Sequence, residues 1–164
     1  SIFRLDADTR ALDSAQAVQR VELGTVGDSN KGFEGLAWDS RNQRLLLANE
    51  KNPVRLFSLA CDGRRVSGPL QALGDLDGYV TDVAGLSVDS RSGQLLALSQ
   101  ESHLLLGLDP QLRAQSFLAL LPGLNGLTRR VPQAEGLALD NAGNLYVVSE
   151  RNLFFAFRRE VSAP

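Results

Sequence analysis

The sequence predicts an all-β protein built as a β-propeller, in which four-stranded antiparallel sheets, or blades, surround a central channel. An apolar stretch that opens near a glycine and ends on aspartate occurs three times, at residues 34–39, 84–89 and 135–140. Each copy leads through a turn into a second apolar stretch that ends at a glutamate, namely Glu50, Glu101 or Glu150. The copies are spaced by about 50 residues, a period typical of propellers and solenoids.

The apolar stretches favour strands over helices. Runs such as 45–48 and 95–98 are short and have Gly, Asp, Asn and Ser near their ends, as expected for strands buried on both faces. Only 116–121 also fits a helical turn. Strands are expected near residues 2–5 and 17–23, then 34–39, 44–49, 54–60 and 69–73, then 84–89, 94–99, 103–108 and 115–121, and finally 135–140, 144–149 and 153–157.

These strands divide the chain into one domain made of four units, at about 1–31, 32–81, 82–132 and 133–164. A closed ring needs at least four blades, typically up to eight, so that no large apolar sheet face is left in water. We therefore expect the chain to contain about three blades of a ring of five or six. The ring would be closed by N-terminal blades that precede this sequence or by a second copy. Five aromatic residues are expected to pack between blades: Trp38, Tyr146, Phe154, Phe155 and Phe157.

Composition and charge exclude some partners. The chain has 17 basic and 19 acidic residues and no basic run, which argues against nucleic acid as a partner. The one cysteine, Cys61, cannot form an internal disulfide and leaves the redox compartment open. No apolar run approaches the ~20 residues of a membrane span.

Six acidic residues are expected to gather at one mouth of the channel. The first strand of a blade is antiparallel to the second, so the start of one and the end of the other lie at the same end of the ring. Like charges brought together favour a neutralising cation, and oxygen ligands around an open cavity suit calcium. The sequence therefore predicts a calcium site formed from Glu34, Glu50, Asp82, Glu101, Glu135 and Glu150.

Two features leave an alternative open for these acids. The middle repeat has Ala84 where the other two have glutamate, so the ring of ligands is not symmetric and Asp82 would have to reach into it. The acids also have possible partners in the rim loops, which carry Lys51, Arg129, Arg130 and Arg151. The repeated aspartates Asp39, Asp89 and Asp140 each precede a turn at the opposite end, where this residue type braces the backbone.

A second group of residues predicts a ligand-binding site beside the mouth. The loop 121–132 is long, contains glycine and ends in basic residues, and loops of this length are often functional. His103, the only histidine, comes after Glu101 on the same rim. It is a general base, a ligand, or a solvated or hydrogen-bonded surface residue. The predicted ligand-binding residues are His103, Arg129 and Arg130.

The order and spacing of these motifs also resemble a known family. The relevant stretches are Gly32-Phe33-Glu34-Gly35-Leu36-Ala37, Glu50-Lys51-Asn52-Pro53, Asp82-Val83-x-Gly85, Leu98-Ser99-x-Glu101-Ser102, Gln133-Ala134-Glu135-Gly136 and residues 143–150. Together they resemble the SdiA-regulated, YjiK-like family of bacterial envelope proteins. The resemblance implies a propeller of five or six blades, usually behind an N-terminal membrane anchor or signal segment. It also implies a periplasmic or inner-membrane-anchored location and no established catalytic activity.

Three functions are consistent with this sequence. The first is a non-enzymatic envelope propeller whose acidic mouth binds calcium, together with a small ligand or an envelope protein. The second is a calcium-dependent lactonase or esterase-like hydrolase, in which the metal polarises a carbonyl. Its candidate residues are Asn49, Asn52, Asn125, Asn152 and His103. The third is a metal-free scaffold for protein interactions.

Overall fold

A computed structural model describes residues 5–6, 11–12, 21–24, 32–62 and 65–159. Every helix or strand assigned within these residues is a β-strand, as predicted, and they contain no helix that is long and apolar enough to cross a membrane. A short hairpin, β1 (Leu5–Asp6) and β2 (Ala11–Leu12), precedes three antiparallel sheets. The predicted unit 1–31 lies mostly outside the described residues, as do residues 160–164. Of the predicted strand 17–23, only 21–23 are described, and they are not in a strand.

The three sheets follow the chain order and correspond to the predicted blades. Blade 1 consists of β3 (Phe33–Asp39), β4 (Arg44–Asn49), β5 (Arg55–Cys61) and β6 (Val66–Asp75). Blade 2 consists of β7 (Gly85–Val88), β8 (Leu95–Ser99), β9 (Leu104–Leu108) and β10 (Ala114–Ala119). Blade 3 consists of β11 (Ala134–Leu139), β12 (Leu145–Ser149) and β13 (Leu153–Phe157). Strand β10 covers most of the stretch for which a helical turn was the alternative.

The first strands of the blades, β3, β7 and β11, lie side by side and form the inner wall. The repeated glycines allow this close approach. A Cβ atom on Gly35 would lie 2.7 Å from Cγ of Leu86, and one on Gly85 would lie 2.8 Å from Cδ2 of Leu137. Real Cβ contacts are longer, so each of these two glycines leaves room for the leucine of the following blade.

Two apolar clusters fill the spaces between blades. Leu46 and Leu56 of blade 1 face Leu95 and Leu106 of blade 2 in the first cluster. The second cluster joins blade 2 to blade 3 and includes Leu96, Leu98, Val147 and the partly buried Phe155 and Phe157. Every residue of β8 is buried because the strand packs against both neighbouring blades. This explains why its sequence is a continuous apolar run and not an alternating pattern.

The structure confirms only part of the prediction that the aromatic residues pack between blades. Phe155 and Phe157 pack between blades as expected. Trp38 and Phe154, in contrast, are exposed, because they alternate with the inward-facing residues on their strands. Phe154 stacks on Tyr146 of the same sheet, with ring centroids 5.8 Å apart.

The turns at the end opposite the acidic residues confirm the bracing role of the repeated aspartates. Asp39 accepts hydrogen bonds from the backbone and the side chain of Asn42, and Asp140 accepts the same pair from Asn144. Asp89 accepts hydrogen bonds from the backbone and the guanidinium of Arg91. These bonds hold the pKa of Asp89 and of Asp140 at about 2.

Candidate functional site

Two glutamates reach the channel mouth from β-bulges. In β3, Phe33 pairs with Asn49 and Gly35 pairs with Ala48, so Glu34 is an extra residue with no partner in the register. Strand β11 has the same irregularity, which leaves Glu135 between the paired residues Ala134 and Gly136. A bulge turns a side chain out of the regular pleat, and such features are common next to binding sites.

Four of the six predicted acids line one small cavity at this mouth. The cavity has a volume of about 210 Å³ and receives at least one acidic side chain from each blade or the segment before it. Ala84 and Gln100 complete the wall. The acids are Glu34, Glu50, Asp82 and Glu135. We call this space the acidic cavity.

Asp82 is buried and is held by hydrogen bonds within its own blade. Its Oδ2 atom accepts the backbone N–H of Gln100 at 3.1 Å, and its Oδ1 atom accepts the N–H of Glu101 at 3.0 Å and the hydroxyl of Ser99. These bonds fix the loop that follows β8. Asp82 therefore braces that loop as well as lining the cavity.

Glu101 does not line the acidic cavity, because it pairs with a lysine of the neighbouring blade. The Nζ atom of Lys51 lies 2.6 Å from Oε1 of Glu101 and 3.5 Å from Oε1 of Glu50. The hydrogen bond to Glu101 is the main reason that the pKa of Lys51 is raised. For Glu101, the structure therefore contains the ion pair that was the alternative to a metal role.

Glu135 shows how neighbouring acids affect a carboxylate of the acidic cavity. Its pKa is raised, first by partial burial and then by the negative charges of Glu150, Glu34, Asp82 and Glu50. Glu150 acts on Glu135 in this way although it does not line the cavity. Within the described residues, no three carboxylate, histidine or cysteine side chains are close enough to hold one metal ion directly. A cation at this mouth would therefore need a shift of side chains or bridging waters.

The three predicted ligand-binding residues line a second, larger cavity of about 790 Å³ between blades 2 and 3. The loop that enters β11 forms much of its wall, as the sequence suggested. His103 lies against Arg130, with Nε2 and Nη1 3.3 Å apart. Gln100 lines both cavities and places them side by side. We call this space the arginine cavity.

Sequence reasoning missed several residues of these cavities. Gln100 stands at an unspecified position of its motif, and Gln133 opens the motif before Glu135 without a predicted role. Arg151 was predicted only as a partner for the acids. A positional signal was present for two of them, because Gln100 directly precedes Glu101, and Arg151 directly follows Glu150.

Comparison with known proteins supports this fold. The sequence model of the SdiA-regulated family matches residues 1–158. The crystal structure of Myxococcus xanthus glutaminyl cyclase is 18% identical with a TM-score of 0.52, and the match covers 74% of this chain and 45% of that chain. The crystal structure of a nidogen/laminin complex is 11% identical with a TM-score of 0.61, and the match covers 91% and 49%. This chain thus spans about half the length of the propellers that it matches, and identities this low show the fold alone.

Proposed function

The chain belongs to the SdiA-regulated family, and from that premise we propose that it is a non-enzymatic envelope β-propeller that binds a divalent cation, calcium, at its acidic cavity. The observation that carries the proposal is the meeting of Glu34, Glu50 and Glu135 from two blades around one cavity. Mutual repulsion raises the free energy of such a cluster, and a bound cation relieves it.

Calcium suits this cavity better than a smaller ion does. Calcium accepts six to eight oxygen ligands in flexible geometry and tolerates waters among them, whereas magnesium demands near-ideal octahedral geometry. No three described carboxylates are placed to hold one ion directly, and Glu34 and Glu135 are largely exposed. We therefore expect weak binding, with a Kd of about 10⁻⁴–10⁻³ M as in extracellular calcium modules. The envelope location, supported by the family resemblance, would suit such a weak site.

Calorimetric titration of calcium into the full chain at low ionic strength tests this proposal. We expect saturable binding that weakens by about tenfold in Glu135→Gln, because this variant removes the carboxylate most affected by its neighbours. Asp75→Asn is the matched control, since it removes one negative charge at the outer strand of blade 1, where Asp75 pairs with Arg55. Absence of calcium binding, or an equal loss in both variants, would contradict the proposal.

The geometry does not favour the hydrolase. Asn49 is buried, and its amide donates hydrogen bonds to the carbonyls of Lys51 and Pro53. The amide of Asn125 is similarly bonded to the carbonyl of Ala119. His103 lines the arginine cavity and not the acidic one. Turnover of a lactone or aryl ester that requires both calcium and Glu135 would replace the proposal with an enzymatic one.

A further inference from the structure

The arginine cavity differs from the acidic cavity in charge, size and lining. It holds three arginines, Arg129, Arg130 and Arg151, and one histidine but no carboxylate. Its volume of about 790 Å³ is within the range of small-molecule sites, which is about 300–1,000 Å³. The acidic cavity is about a quarter of that size.

The three arginines of this cavity make no ion pair with any described carboxylate. Of the other eight described arginines, half make an ion pair with a described carboxylate. Four of them pair with an aspartate: Arg44 with Asp39, Arg55 with Asp75, Arg91 with Asp89 and Arg113 with Asp109. Four guanidiniums are thus neutralised by an aspartate, whereas three that make no ion pair with a described carboxylate gather at one cavity. Such a cluster attracts an anion.

The histidine helps to hold one of these guanidiniums in place. An arginine only donates hydrogen bonds, so Nε2 of His103 is the acceptor for Nη1 of Arg130. This contact joins the loop after β8 to the loop before β11. Guanidinium groups fixed in this way bind carboxylate and phosphate through paired N–H donors.

Part of the remaining wall is apolar, beside the polar Gln100, Thr128 and Gln133, and this apolar part indicates the rest of the ligand. Leu127, Leu153 and Phe155 line the cavity beside the arginines. A purely inorganic anion would leave these side chains in contact with water. A ligand with an apolar or aromatic body would cover them and gain free energy from the apolar area that it removes from water.

We propose that the arginine cavity binds a small organic anion, with its carboxylate or phosphate on Arg129 and Arg130 and its apolar body against Leu127, Leu153 and Phe155. This site is separate from the acidic cavity, and its occupancy does not require a bound cation. Carboxylates and phosphate monoesters share the chemistry that the arginines recognise, so the test includes both.

Saturation-transfer NMR and calorimetry with the full chain test the proposal, using benzoate, phenyl phosphate, inorganic phosphate and benzylamine as probes. We expect benzoate or phenyl phosphate to bind saturably, inorganic phosphate to bind at least about tenfold more weakly, and benzylamine not to bind. Higher salt should weaken the binding. Inorganic phosphate that bound as tightly as phenyl phosphate would overturn the assignment of an organic ligand.

Matched variants locate the binding on the molecule. Arg129→Gln with Arg130→Gln should weaken binding by about tenfold or more. Arg158→Gln with Arg159→Gln is the control, because it removes the same charge just beyond β13, at the opposite end of blade 3, and should change the Kd less than twofold. Glu135→Gln should leave anion binding intact while calcium binding falls. The proposal would be overturned if none of the anions bound or if both arginine pairs had the same effect.

Discussion

Individual carboxylates of this protein fall into two groups with opposite electrostatic environments. At the turns, hydrogen bonds from neighbouring residues stabilise the charged form, and they hold the pKa of Asp140 at about 2. At the channel mouth, partial burial and neighbouring acids disfavour the charged form of Glu135 and raise its pKa. Charged carboxylates therefore stabilise the fold at the turns, whereas the charged form of Glu135 lowers the stability of the fold at the channel mouth.

Glu135→Gln should stabilise the protein at neutral pH. The pKa of Glu135 is raised above its ordinary value of 4.5, so the folded protein binds the proton more tightly than the unfolded chain does. The free energy of unfolding consequently falls as pH rises from about 4.5 through the raised pKa, and it stays lower at neutral pH. A neutral glutamine does not incur this loss of stability, although screening by solvent keeps the difference in the free energy of unfolding small.

Thermal melts of both proteins at low salt provide the measurement. The unfolding midpoint of Glu135→Gln should exceed that of the parent chain near pH 7, and the two should coincide near pH 4, where the parent carboxyl is protonated. Asp75→Asn should show no such gain, because its ion pair with Arg55 lowers the pKa of the aspartate. A glutamine variant that melts lower at neutral pH would show that Glu135 is compensated in solution.

The strands and turns show how far the sequence predicted the elements. Strand positions were predicted because short apolar runs and turn residues act locally. The bulges at Glu34 and Glu135 were not, because a bulge arises from the register between two strands and has no single-residue signature here. Contacts between neighbouring blades also determine which acids line the acidic cavity. Lys51, which follows β4, reaches Glu101 of the next blade, a contact that the spacing of motifs does not specify.

One further repeated motif joins the blades at the end opposite the acidic cavity. Asp-Ser-Arg occurs at 39–41 and again at 89–91. Arg41 donates to the carbonyls of Ser90 and Ser92 in the next blade, at 3.1–3.3 Å and 3.2 Å. Arg91 donates to the carbonyl of Ala142 at 2.8 Å in the same way. The arginine of each of these two turns therefore holds the turn of the following blade.

Arg91→Gln should destabilise the protein more than Arg113→Gln. Both arginines pair with an aspartate of their own turn, but among the described contacts only Arg91 also donates to the next blade. We expect the unfolding midpoint of Arg91→Gln to fall measurably below that of the parent chain and that of Arg113→Gln to stay close to it, because an exposed ion pair contributes little to stability. Denaturant unfolding near pH 7 measures both.

Acid should reduce the effect of Arg91→Gln. The hydrogen bond from Arg91 is the main cause of the low pKa of Asp89, so its stabilisation is complete above the ordinary pKa of 3.8 and is lost as pH falls towards about 2. The difference between the parent chain and the variant should therefore shrink over that range. Equal losses for the two variants at neutral pH would show that the contact between blades contributes nothing measurable.

At the scale of the whole molecule, repetition was predictable but the environment of each copy was not. Leu36, Leu86 and Leu137 occupy the same position in successive repeats, directly after the repeated glycine. Leu86 is 5% exposed because it packs on Gly35 of the preceding blade, whereas Leu36 is 61% exposed. A repeat specifies what each unit presents to its neighbours, and the burial of each copy depends on the contacts that it makes with the described blades.

Leu86→Ala and Leu36→Ala should therefore differ in their effect on the free energy of unfolding, although they are the same substitution at equivalent positions. Leu86→Ala opens a cavity between blades 1 and 2 and should cost about 2–5 kcal/mol. Leu36→Ala shortens a side chain that is already in water and should change the stability by about 0.5 kcal/mol or less. Denaturant unfolding at several protein concentrations measures both changes. A large, concentration-dependent loss for Leu36→Ala would show that another copy of the chain covers this face of blade 1 in solution.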